Sequence, residues 1–276
     1  MTKNIIILTF LFLNLLSLNA QTVEQTRNLM EKNKISKISN YILYNREGSI
    51  QQNPELENIY EFDMQKNMIL KSSYYNNNIL QKEIYIFNKD NSLNSEMWLN
   101  TYGDTILFHK NIYQKNNKSQ IIEKRTVIYD SIDLSKVYYT YNEKDLLIQE
   151  IFESFGDEGF TSTAKYDYDS GKQLISKIVY DSDGKIESSQ YYEYEKSLLI
   201  RIVFNQGEED ETFINFQYDE KGNLKLSDGS VIDNEDDSSS KFKEEYEYDN
   251  KNLRIKEVSY DNDAVQYQRT TEYEFF

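Results

Sequence analysis

Two aromatic residues one position apart, closed by Asp, Asn or Glu, recur along this chain, and no other feature restricts its fold as much. The motif stands at Tyr60-Glu61-Phe62-Asp63, Tyr85-Ile86-Phe87-Asn88, Tyr139-Thr140-Tyr141-Asn142 and Tyr166-Asp167-Tyr168-Asp169. It returns at Tyr192-Glu193-Tyr194-Glu195, Phe216-Gln217-Tyr218-Asp219 and Tyr246-Glu247-Tyr248-Asp249, and the sequence ends on Tyr273-Glu274-Phe275-Phe276. With Tyr113 as a degraded member, the second aromatics fall at 62, 87, 113, 141, 168, 194, 218, 248 and 275, a repeat of about 27 residues. Weaker anchors lie midway, at Tyr75, Tyr102, Tyr129, Phe155, Tyr180, Phe204, Ile232 and Tyr260, and Tyr44 adds an early copy. Eighteen anchors, one per 13–14 residues, leave room for one strand and one turn each.

Within each unit aromatics and acids alternate with period two, as in 245–249, which suits a strand with one buried and one solvated face. Turn chemistry follows the anchor, as in Asp219-Glu220-Lys221-Gly222-Asn223 and Asp181-Ser182-Asp183-Gly184. Asp and Asn bond their own backbone and Gly accepts a positive φ. An aliphatic residue (Leu174, Ile186, Leu224, Leu253) then restarts the strand. Strands without helical spacers predict an all-β antiparallel meander of tandem hairpins over 41–276. Accumulated twist rolls so many strands into a rolled or spiralling sheet, with the tyrosines buried on its concave face. Each unit then contacts chiefly its neighbours, so stability is expected to be nearly additive along the array.

The units at 218–224 and 180–186 resemble the tyrosine-aspartate (YD) repeats of Rhs-type proteins, whose pattern is Tyr-Asp, two residues, Gly, one residue, then an aliphatic. Asn replaces the Gly at Asn91, and the segment 248–253 reads as one residue short. A looser likeness exists to MORN-variant repeats of antitoxin-like proteins. Long Rhs arrays form a hollow β-shell around a C-terminal toxin. Here the sequence closes on a repeat anchor, and Pro54, the single proline, leaves no Asp-Pro self-cleavage segment. The resemblance implies the strand-and-turn unit and ligand binding, without toxin activity.

The first residues predict export. Lys3 precedes an apolar run from Ile5 to Leu18, and Leu18-Asn19-Ala20 precedes a polar stretch, the layout of a signal peptide cleaved after Ala20. The run is shorter than a spanning helix needs, and no second one follows. A soluble chain, periplasmic or extracellular, is expected. Residues 21–40 read as a lead segment, with a short helix over 22–34.

Composition removes several functions. There is no cysteine, and His109 is the only histidine, so neither a Cys/His metal site nor a Cys nucleophile can be built. With 47 acidic against 31 basic residues, nucleic-acid binding is excluded as a bulk electrostatic activity. Residues 21–140 are nearly neutral, and 141–276 carry 15 basic and 33 acidic residues, a net of −18.

Individual candidates are weighed against packing. The tyrosines could form a sugar-stacking platform, but strict alternation with acids favours core and cross-strand packing. Trp98 reads as buried, His109 as structural, and Asp181-Ser182-Asp183-Gly184 as a hairpin turn lacking the further acids of a calcium loop. No spacing singles out a catalytic carboxylate pair. In a meander, alternate turns share an edge, and one edge gathers Glu208, Glu209, Asp210, Glu211, Asp233, Glu235, Asp236 and Asp237. That acidic edge is the candidate site for a basic protein partner or a weakly held divalent cation. The resulting expectation is an exported, non-enzymatic β-repeat protein that binds an unknown protein or glycan, or serves a structural role. It needs no cofactor. An immunity or antitoxin-like inhibitor and a carbohydrate-active enzyme are the alternatives.

Overall fold

The computed structural model describes residues 32–46, 49–65, 67–128, 132–156, 159–205, 211–233 and 238–276. The export segment, residues 22–31 of the helix expected over 22–34 and the tips of the two most acidic turns lie outside these residues. Nineteen strands follow one another. They begin with β1 (Ile35–Arg46), β2 (Ser49–Ile50), β3 (Glu55–Phe62), β4 (Met68–Tyr75), β5 (Asn78–Phe87) and β6 (Leu93–Leu99). Next come β7 (Thr105–Lys115), β8 (Ile121–Ile128), β9 (Ile132–Tyr141), β10 (Leu147–Ser154), β11 (Thr161–Tyr168) and β12 (Leu174–Tyr180). The last are β13 (Ile186–Glu195), β14 (Leu198–Asn205), β15 (Glu211–Tyr218), β16 (Leu224–Asp233), β17 (Ser238–Tyr248), β18 (Arg254–Asp261) and β19 (Ala264–Phe275).

Every neighbouring pair is antiparallel, as a meander requires, but the sheet is not an open spiral. β1 pairs on one side with β3, Ile38 opposite Tyr60 and the register shifting between Asn40 and Tyr41, and on the other with β19, in register from Ile38↔Tyr273 onward. Eighteen strands therefore close into a barrel, and the short β2 pairs only with the end of β1. Twist accumulated over this many strands brings first and last edges together, and closure satisfies both. The expected lead segment is cut by this result, since residues 35–40 belong to the closing strand.

The eighteen anchors correspond to the eighteen barrel strands, each anchor falling within three positions of the C-terminal end of its strand. In most turns after the motif the closing Asp or Asn side chain accepts backbone N–H groups; the turn after Glu195 instead has only two residues, Lys196 and Ser197. Asp219 Oδ1 accepts the backbone N–H groups of Lys221 and Asn223, both at 2.8 Å, and Gly222 takes φ +81°. Asp249 does the same for Lys251 and Leu253, with Asn252 at φ +62°. No residue is missing from that turn; its aliphatic has moved one place forward, into the position of Asn223. After each such turn one residue forms a bulge, for example Ile175 between the pairs Tyr168↔Leu174 and Asp167↔Ser176.

In the turn after β11 the left-handed position is held by Lys172 (φ +69°) and not by the adjacent Gly171. A side chain there is strained by roughly 1–2 kcal/mol, partly offset because glycine costs more backbone entropy on folding. Lys172→Gly should therefore stabilise the protein by about 0.5–1 kcal/mol in urea unfolding.

The anchors were expected to fill a core, yet Tyr168, Tyr194, Tyr218 and Tyr248 are only half-buried. Their work is partly polar. The phenols of Tyr141, Tyr168, Tyr218 and Tyr273 donate to the carbonyls of Ile121, Leu147, Leu199 and Arg254, at 2.9, 2.8, 2.7 and 2.7 Å. Each acceptor begins, or stands just before, the bulge of the preceding hairpin. Tyr218→Phe should thus cost about 1 kcal/mol through the lost hydrogen bond alone, measurable by the shift of the denaturation midpoint.

The buried apolar cluster is small. Ile35 and Leu253 form it, with Ile38, Phe62 and Tyr273 packed against them. It lies at the closing seam, where Phe276 N also donates to the Lys34 carbonyl at 2.7 Å.

Candidate functional site

Direct cross-strand partners point to the same face, so the register separates the two faces of the wall. One face carries the tyrosines of the motif, together with Glu57, Glu83, Glu257 and Arg269. Their side chains are 20%, 10%, 8% and 19% exposed. Charged pairs on the other face are far more open, with Glu247 at 60% and Glu274 at 63%. The tyrosine face is the concave inner wall. Burial pushes the phenols of Tyr85, Tyr139, Tyr166, Tyr246 and Tyr267 above the usual tyrosine range, and it pushes the ammoniums of Lys124 and Lys177 below theirs.

On this wall the first aromatic of each hairpin stands opposite one residue of the returning strand. The pairs are Tyr60↔Lys71, Tyr85↔Glu96, Tyr113↔Lys124, Tyr139↔Glu150 and Tyr166↔Lys177. In the third hairpin Tyr113 stands in the place of the first aromatic, not of the second as its spacing suggested, and Lys115 holds the second place. Five consecutive hairpins thus present Lys, Glu, Lys, Glu, Lys. Successive charges stand two strands apart, roughly 9–10 Å. The series then turns neutral, with Tyr192↔Ile202 and Phe216↔Ser227, and ends on Tyr246↔Glu257.

Neighbouring aromatics hold the carboxylates in place. Tyr166 Oη donates to Glu150 at 2.7 Å, Trp98 Nε1 donates to Glu96, and Tyr85 Oη donates to Glu83 at 2.5 Å. Lys71 pairs with Glu83 at 2.7 Å. Lys124 and Lys177 make no ion pair with any described residue; Lys177 lies 5.9 Å from the centre of the Tyr166 ring. At the seam beside β4, Arg269 grips Glu57 with Nε and Nη2 at 2.6 and 2.9 Å and donates through Nη1 to Glu257, which also accepts from Tyr267 at 2.9 Å.

Every substantial strand contact is between ladder neighbours, and the hydrogen bonds, ion pairs and ring contacts of the described wall residues stay within neighbouring or next-neighbouring strands. Trp98, Lys124, Tyr139, Glu150, Tyr166 and Lys177 all face inward and all keep partial solvent exposure. Eighteen strands tilted as barrels require span roughly 35 Å across a circular backbone, and barrels of 16–18 strands leave an aqueous lumen. A cavity of about 420 Å³ opens at the turn-bearing rim beside Tyr166 and Tyr168.

The sites expected from sequence fare differently. Glu208, Glu209, Asp210, Glu235, Asp236 and Asp237 lie outside the described residues. The backbone of Glu211 begins strand β15 opposite Asn205, and that of Asp233 ends strand β16 opposite Ser238. Asp181 builds a plain turn, accepting from Asp183 N and Lys185 N at 2.9 Å each. Among the described residues no cluster of three or more His, Asp or Glu side chains could hold a metal ion. Trp98 faces inward beside Glu96, and His109 stands opposite Glu96 and Ile128 on the same wall. The belt itself escaped the sequence reading. Its signal is present, because each charged residue follows the first aromatic of its hairpin by eleven positions (60 to 71, 85 to 96, 113 to 124, 139 to 150, 166 to 177).

No protein-family model matches this chain, and no curated protein matches it. Among solved structures, a Tc holotoxin pore from Photorhabdus luminescens aligns over 77% of the chain at 12% identity and TM-score 0.40, and the chain spans only 12% of that protein's length. A porin-like protein from Bacteroides uniformis aligns over 88% of the chain and 97% of its own length, at 12% identity and TM-score 0.46. A second, from Bacteroides vulgatus, aligns over 88% and 100% at 9% identity and TM-score 0.26.

Proposed function

We propose that this is an exported, non-enzymatic binding protein whose closed β-barrel encloses a water-filled chamber, and that the inner wall is its binding surface. The observation carrying this reading is the alternating belt of Lys71, Glu96, Lys124, Glu150 and Lys177 on a concave face where these side chains keep partial solvent exposure among the described residues. A wall meant only for stability would be apolar, since ionised groups in a low-dielectric interior cost free energy unless paired. Lys124 and Lys177, retained there without an ion pair to any described residue, are better explained by water or a ligand.

The outer wall argues for a barrel surrounded by water. Lys82, Lys110, Arg125, Lys136 and Lys165 lie on the outward face, near the middles of five strands. Each would cost roughly 2–4 kcal/mol at the midplane of a bilayer. No described helix is long and apolar enough to cross a membrane.

A cysteine-free chain makes the test direct. Lys124→Cys on the inner wall and Lys136→Cys on the outer wall should both react with a small maleimide in the folded protein. A polymer-bearing maleimide too wide for the lumen should label only position 136. Failure of the small reagent at position 124, with position 136 labelled, would show a filled interior and end the chamber reading.

A further inference from the structure

We propose that the chamber takes an uncharged oligosaccharide, bound along the arc of inner wall from β4 to β12. The inference rests on the chamber reading and adds the class of ligand. Formal charges along the arc cancel: Lys71, Lys124 and Lys177 face Glu83, Glu96 and Glu150. A polyanion would meet three carboxylates and a polycation three ammoniums, so a strongly charged chain of either sign gains little. A neutral chain escapes this penalty.

Hydrogen-bonding capacity narrows the class. Lys124 and Lys177 offer only donors, and ionised Glu96 and Glu150 accept only. A ligand displacing water along the arc must therefore present acceptors and donors in alternation, at steps of roughly 9–10 Å. Sugar hydroxyls do both at every unit, so no strict match of repeat lengths is needed. The aromatic groups complete the surface. Trp98 Nε1 and Tyr166 Oη are already committed to Glu96 and Glu150, which fixes ring orientation; Lys177 lies over one face of Tyr166, so the Trp98 ring is the surface offered to the apolar face of a pyranose.

An extended peptide also carries alternating donors and acceptors, but it is bound most readily by adding a strand to an open sheet edge. Closure of β1 onto both β3 and β19 removes the edges of this barrel. The arc offers side chains alone, and side chains of both signs in alternation suit hydroxyls.

Calorimetric titration of the full mature chain with maltohexaose, cellohexaose, xylohexaose and chitohexaose, and with hexagalacturonate and spermine as charged probes, tests the assignment. At least one neutral hexasaccharide should bind, and both charged probes should bind at least tenfold more weakly. Lys124→Met and Trp98→Ala should each weaken that neutral sugar at least tenfold, with Lys136→Met on the outer wall unchanged. Thermal melting separates loss of ligand from loss of fold, because Lys124→Met should leave the melting temperature equal or higher. Tighter binding of hexagalacturonate or spermine overturns the neutral assignment. No binding by any neutral sugar, in a protein whose Lys124→Cys variant still reacts with small maleimide, overturns the saccharide and leaves the chamber standing. An unreactive Lys124→Cys removes both.

Discussion

Removal of β19, by ending the chain after Asn262, is expected to abolish cooperative unfolding altogether. β19 is hydrogen-bonded to β18 from Lys256↔Thr270 to Asp261↔Ala264 and to β1 from Ile35↔Phe275 to Tyr44↔Tyr267. Its loss deletes two ladders, removes Arg269 and Tyr273, and opens two strand edges at once. In an open repeat array, clipping one terminal strand subtracts one nearest-neighbour contribution and leaves the remainder folded. In a closed barrel the two ends of the array support each other, so the whole stability, ~5–15 kcal/mol for a typical domain, is at stake. Far-ultraviolet circular dichroism through a urea titration reads the difference. A clipped chain that keeps a sharp transition, only slightly earlier than the full chain, would mean that closure contributes little.

The contrast shows what the sequence made legible. Turn chemistry at Asp219-Glu220-Lys221-Gly222 and alternation at 245–249 are local, and local signals place strands and turns well. The anchors even supply the number of barrel strands. Closure is different, because it is decided by the pairing of Ile38 with Tyr273, residues at opposite ends of the array. No short-range pattern encodes that contact; it follows from twist summed over all eighteen strands. The half-buried state of Tyr218 was hidden for a related reason. In the chamber proposed above the concave side of the wall meets a lumen, so alternation marks the inward face without promising a packed core.

The belt was hidden by attention to the wrong half of the hairpin. Lys71, Lys124 and Lys177 lie in returning strands whose aliphatic starts read simply as strand restarts, and a lone lysine in a strand resembles any solvated side chain. Only the register, which sets each opposite the first aromatic of its motif, separates them from outward-facing Lys82 and Lys110. The acidic edge drew attention because it is dense in sequence. The belt is sparse, with one charge per hairpin, and becomes a pattern only when the hairpins stand side by side.

Arg269→Met should be the most damaging single substitution at the seam, costing about 3–5 kcal/mol, the range for breaking a buried ion pair by removing one partner. Arg269 binds Glu57 through a two-point grip and donates to Glu257, and its guanidinium lies 5.0 Å from the centre of the Tyr267 ring. Glu57 belongs to β3 and Glu257 to β18, so the cluster spans the four strands that complete the barrel. Methionine keeps much of the volume and removes the charge, which leaves two carboxylates near one another with little water. Arg254, 3.4 Å from the second oxygen of Glu257, compensates only one of them. If charge is the cause, Glu57→Gln and Glu257→Gln added to Arg269→Met should recover most of the loss, because neutral groups are far less costly to bury. A triple variant as unstable as the single one, in the same urea titration, would instead assign the loss to packing and hydrogen-bond geometry at the seam.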